Sequence, residues 1–199
     1  GGVFFEDIGT GKKYSTAATC LINIDTLEDD IYLFNYLPHL LTSTSVFKVG
    51  DVKSFREVNE LDRCNWYYDL FTQDYSNGHY IDSILVGNRK SNGFVFDTTG
   101  MPIIHGYVDG QNLRLIRVNK NQLVVLSVLE DNEVELSTVL VELSQDRRVS
   151  LSFNNYRNNV SISCNDSSSD YWASNNSDRL SHIVNINRQT KEIDVYEVN

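Results

Sequence analysis

The chain of 199 residues has no apolar run approaching the roughly 18 residues of a membrane-spanning helix, so its sequence offers no transmembrane segment. It is poor in basic residues: 17 Lys and Arg stand against 27 Asp and Glu, a net charge of −10. Non-specific nucleic-acid binding depends on Lys and Arg neutralising phosphates, so this field opposes DNA or RNA as a partner. The short pairs Lys12-Lys13 and Arg147-Arg148 are too small to reverse it. There are only three cysteines, Cys20, Cys64 and Cys164, which allow at most one intrachain disulfide and leave one thiol over. Their wide spacing excludes the closely paired ligands of a structural zinc site, and no metal or cofactor is expected. Prolines number two, and no linker, internal repeat or charge block is visible, so a single domain over 1–199 is expected. The start, Gly1 to Asp7, lacks the basic region and apolar stretch of a signal peptide, which leaves open one already removed.

What is present is ordinary globular material, 41% hydrophobic and 22% charged, enough to enclose a core. Strand signals dominate. Ala18–Ile24, Asp30–Leu37, Ile84–Val86 and Phe94–Phe96 read as strands, as do Ile103–Val108, Leu113–Val118, Leu123–Leu129, Glu133–Leu143, Val149–Phe153, Val160–Cys164, Ile183–Ile186 and Ile193–Val198. Glu133–Leu143 also fits an amphipathic helix, but its Val and Thr content favours strand. One helix is predicted over Val52–Leu61, where Phe55, Val58 and Leu61 share a face. Asn92-Gly93 and Asp109-Gly110 read as hairpin turns, because both residue types tolerate positive φ. The Ser- and Asn-rich stretch 164–178 reads as a loop anchored by Trp172.

Three sequons, at Asn159, Asn165 and Asn175, tilt the reading toward a secreted or surface glycoprotein. Gly9-Thr10-Gly11-Lys12-Lys13 resembles a phosphate loop only superficially, since no strand is expected before it and the Gly-Lys-Ser/Thr spacing is absent. The acidic run Glu130, Asp131, Glu133 and Glu135 does not have calcium-loop spacing and reads as a solvated turn. The aromatic run Trp66-Tyr67-Tyr68 reads as core more than as a binding platform.

Four stretches follow one order. They are Asp30–Pro38, with Cys20 ahead of it; Gly93–His105, reading Gly-Phe-Val-Phe-Asp-Thr-Thr-Gly-Met-Pro-Ile-Ile-His; Asp109–Leu115; and Asp170–Ser174, followed by Val184–Thr190. Together they resemble the deoxyribonuclease II family. The resemblance implies a phospholipase-D-like scaffold of two pseudo-symmetric halves, each giving a histidine and a lysine to one site. One histidine would attack phosphorus and the other protonate the leaving oxygen, without a metal. Aligned without gaps, the family's first His and Lys fall on Arg89 and Ser91, with Lys90 one residue away, and the second pair falls on Ser169 and Tyr171. Both histidines are missing. His105 is the possible survivor, although a hydrogen-bonded strand-end histidine is the simpler account of it.

The fold expected is therefore α/β: a β-rich mixed sheet, a shortened phospholipase-D-like or deoxyribonuclease-II-like sandwich. The function expected is that of a pseudoenzyme, a protein-binding or structural component of a viral or cellular particle or a secreted effector. Localisation would be extracellular or particle-associated. Two rivals stand beside it. One is an active, metal-independent acid phosphodiesterase using His105 with Lys90 and another histidine. The other is an unrelated β-rich carbohydrate- or receptor-binding domain.

Overall fold

The computed structural model describes residues 2–17, 21–37, 43–58, 92–110, 112–143, 148–156, 158–167 and 179–198. They fall into two compact units, 1–102 and 103–199. All described strand pairs are antiparallel.

The first unit holds two sheets. β1 (Gly2–Glu6), β2 (Lys13–Ala17) and β6 (Arg56–Val58) form one, in the order β1-β2-β6. β3 (Leu21–Leu27), β4 (Asp30–Leu37), β5 (Ser43–Val49) and β7 (Asn92–Thr99) form the other, in the order β3-β4-β5-β7. Val3 and Tyr14 from the smaller sheet meet Leu33, Phe47 and Val49 from the larger, with Phe55 closing the cluster. Phe5 stacks on Phe55 with ring centroids 6.0 Å apart.

The second unit is made of two consecutive meanders. β8 (His105–Asp109), β9 (Asn112–Asn119), β10 (Gln122–Val128) and β11 (Val134–Glu142) form the first sheet. β12 (Arg148–Tyr156), β13 (Asn159–Ser167), β14 (Arg179–Asn187) and β15 (Ile193–Glu197) form the second. The two pack face to face over Tyr107, Ile116, Leu123, Val125, Leu140 and Val141 on one side and Val160, Ile162, Cys164, Val184 and Ile186 on the other. Strand alternation explains the partition: on β13 and β14 these residues point inward, while Ser161, Ser163, Asn165 and Asn185 point outward. Within this unit β11 lies against β15, and β8 meets β12 through His105, so each meander's first strands adjoin and its last strands adjoin.

The β-rich expectation holds, and β4 has the bounds read for it. The α/β class does not, because the described residues contain no α-helix, only 3-10 turns at Val52–Ser54 and Glu130–Asn132. The helix expected over Val52–Leu61 is one turn long. Asp51 caps it by accepting from Lys53 N, but Phe55 is already extended, and Arg56–Val58 pair with β2, whose ladder satisfies their backbone better than a lone turn would. Asn92-Gly93 is not a turn, since it pairs with Val49 and Lys48 inside the sheet. Asp109-Gly110 is one, with Gly110 at φ 61°. The loop expected over 164–178 begins later, because β13 runs to Ser167.

An internal repeat exists after all, at the level of a turn. In the β1–β2 hairpin, Asp7 N donates to Lys12 O and Gly11 N to Asp7 O, while Gly9 N and Thr10 N donate to Asp7 Oδ1. In the β14–β15 hairpin, Asn187 N donates to Glu192 O and Lys191 N to Asn187 O, while Gln189 N and Thr190 N donate to Asn187 Oδ1. Thr10 Oγ1 and Thr190 Oγ1 each accept from the N–H two residues on. The shared pattern is Asp/Asn-x-x-Thr, a side chain that folds the turn by accepting its amides.

Candidate functional site

The chemistry-bearing residues of the second unit gather along β8. His105, Tyr107 and Asp109 alternate on it, so all three point to one face, and all are buried. Each meets a group from the unit's second sheet or its turns.

His105 is held on two sides. Its ring stacks on Phe153 at 4.4 Å between centroids with an interplanar angle of 8°, and its Nε2 donates to Asn155 Oδ1 at 3.1 Å. A histidine committed in this way has its imidazole enclosed by β12, and 4% of its surface reaches solvent. It is a strand-start histidine, buried, stacked and hydrogen-bonded.

Burial pushes the Tyr107 hydroxyl up to about 12, against small opposing effects of the Arg114 and Arg188 cations. It is neutral at any ordinary pH and supplies no base. Its shift makes a pH prediction. The folded pKa lies above the unfolded value of about 10, so above pH 10 the unfolded chain releases a proton that the folded chain keeps. The unfolded state then binds fewer protons, and stability falls as pH rises, by about 2–3 kcal/mol in total between pH 10 and 12. Urea melts over that range should show this loss in the parent protein and not in Tyr107→Phe.

Asp109 carries the unit's most enclosed ion cluster. Arg114 Nε donates to Asp109 Oδ2 at 3.3 Å, and Lys191, from the β14–β15 turn, pairs with Asp109 Oδ1. Arg114 also donates to Ser127 Oγ and to Ser137 Oγ, and Arg188 Nη1 reaches Val108 O at 3.5 Å. The repeated turn thus delivers Arg188 and Lys191 to the end of β8. The carboxylate is paired with cations from two elements, β9 and the β14–β15 turn.

The remaining expectations fall as follows. Arg89, Lys90, Ser169, Tyr171, Asn175, Cys20 and Cys64 lie outside the described residues, as do Trp66–Tyr68, Ile84–Val86, Ser91 and Trp172. Cys164 is a fully buried thiol of the core. Asn159 and Asn165 sit on the outward face of β13; Asn159 is exposed, at the hairpin end, and Asn165 half-buried. A strand, β1, does precede the glycine-rich segment 9–13, contrary to expectation; the segment includes the β1–β2 turn, and the amides that would face a phosphate already donate to the Asp7 carboxylate, which they hold below its usual range. Lys12 pairs with Glu57 at 2.9 Å. Among the described residues no group of three His, Cys, Asp or Glu side chains is placed to hold a metal. Among the described residues no helix is long and apolar enough to cross a membrane.

Sequence reasoning missed the Asp109–Arg114–Lys191 cluster. Its one visible signal was a charged residue, Arg114, on the same face of β9 as Ile116 and Val118.

No protein-family model and no curated protein matches this chain.

Proposed function

We propose that this chain is a non-catalytic component that works by binding protein or by taking part in an assembly. The observation that carries the reading is the enclosure of His105. It is the possible survivor of the site that the resemblance implies, and its ring is stacked against Phe153 and tied to Asn155 inside the second unit. A nucleophilic imidazole must approach phosphorus in line, and a ring closed in on a face and an edge offers no such path. The net charge of −10 adds to this, because it repels a polyanionic substrate.

Descent from a deoxyribonuclease-II-like scaffold is the part of the proposal that the sheets support least. The described strand pairs are all antiparallel and the second unit is two meanders, which fits the rival of an unrelated β-domain equally well. Either ancestry leads to the same expected activity.

The test is a metal-free plasmid digestion from acid to mildly alkaline pH. The parent protein is expected to leave the plasmid intact throughout. His105→Ala should be equally inert while losing about 1–3 kcal/mol of stability, from the stacked ring and the amide left without its donor. Cleavage by the parent that disappears in His105→Ala would overturn the proposal.

A further inference from the structure

Among the described residues of the second unit, most exposed large apolar side chains lie on its two edge strands. β11 and β15 are the outermost strands of their sheets, and they lie against each other. β11 exposes Val134, Leu136 and Val139, and β15 exposes Ile193, Val195 and Tyr196. β15 is exposed along its whole length. Among the described residues neither strand has a neighbour on its outer side, so each presents a row of backbone donors and acceptors to solvent. A solvated edge is normally short or covered, and contiguous exposed apolar side chains mark interaction surfaces.

The charges around these edges choose the occupant. Glu133, Glu135 and Glu142 lie on or beside β11, and Glu192, Asp194 and Glu197 on or beside β15, all exposed. None of the six is ion-paired to a described residue. A second copy docking edge to edge would bring carboxylates onto carboxylates, which disfavours self-pairing. A polyanion is repelled by the same field. An extended segment with Lys or Arg alternating with apolar residues satisfies the whole surface: its backbone completes the ladder, its apolar side chains cover Ile193 and Val195, and its cations meet the acidic rim.

We infer that β15, flanked by β11, is a docking edge for a basic, strand-forming segment of a partner protein, which adds to the sheet beside β15. This rests on the binding role proposed above and names its surface.

The experiment uses the full chain and a labelled synthetic peptide of alternating Lys or Arg and Val, followed by fluorescence anisotropy. Controls are an acidic peptide with Glu in place of the cations and a basic peptide carrying proline at every second apolar position. The basic peptide is expected to bind, to weaken as salt is raised, and to fail when proline removes its backbone donors. Asp194→Lys with Glu197→Lys should weaken it at least about tenfold, and Val195→Asp similarly. These positions are exposed, and circular dichroism confirms that the variants keep their sheets. No binding by the basic peptide, equal binding by the acidic one, or no change in the charge-reversed variant overturns the inference. Plasmid cleavage would overturn the non-catalytic role itself, whereas an inert protein that ignores the peptide removes only the docking edge.

Discussion

Replacing Phe47 with alanine is expected to lower the stability of the folded chain by about 3–5 kcal/mol. Phe47 lies on β5, which has a strand on each side, and 1% of its surface is exposed. It packs with Val3, Tyr14, Leu33, Val49 and Phe55, and its ring meets Phe94 edge-on at 5.3 Å and 81°. Truncation removes the apolar area, the edge-to-face contact and the filler of a space that strands on both sides prevent from collapsing. Phe47→Leu keeps most of the volume and should cost less than about 1.5 kcal/mol. Urea midpoints at unchanged slope, followed by far-UV circular dichroism, measure both. A loss below about 1 kcal/mol for the alanine variant would show that this packing is not what holds the first unit together.

Arg114→Met is expected to cost about 3 kcal/mol, for an electrostatic reason. The Asp109 carboxylate is 7% exposed and Arg114 19%, whereas Lys191 is 55% exposed. With the guanidinium gone, Asp109 keeps only a cation that water largely screens, and Ser127 and Ser137 lose their donor. Adding Asp109→Asn to Arg114→Met should recover part of the loss, because the uncompensated charge leaves with it. The double-mutant cycle reads the coupling directly, and additive losses at the two positions would rule out the pair as the source.

Much of the second unit could be read from its sequence because its strands follow one another with simple alternation. The inward Val160, Ile162 and Cys164 stand between outward Ser161, Ser163 and Asn165, and a period of two assigns both faces at once. The strand β9 was harder. Leu113 and Leu115 face one way and Ile116 and Val118 the other, and the burial of both Leu115 and Ile116 shows that neither face is a solvent face. Partial alternation there was the signature of a strand covered on both sides.

Turns misled in both directions. Asn-Gly, the strongest hairpin signal, stands within β7 at Asn92-Gly93, because its backbone is claimed by β5. Two actual hairpins turn on Glu28 and Lys120, at φ 54° and 55°, with no glycine to announce them. Sheet pairing imposes the left-handed conformation on these residues against their own preference, so no local pattern reveals it. The Asp7 and Asn187 turns escaped notice for another reason: what they share is a side chain accepting two amides, which constrains only two of the six positions. The candidate site was least legible of all. Asp109, Arg114 and Lys191 converge from β8, β9 and the β14–β15 turn, and only the face-to-face packing of two meanders brings that turn to β8.

That meander order also bears on how the chain reaches its fold. Every pairing from β8 to β15 joins a strand to the next one in sequence, so each hairpin can zip before its neighbour exists. In the first unit β2 must wait for β6, and β5 for β7. The second unit therefore has the lower contact order and the shorter search. It can present a formed β15 edge while β5 still awaits β7.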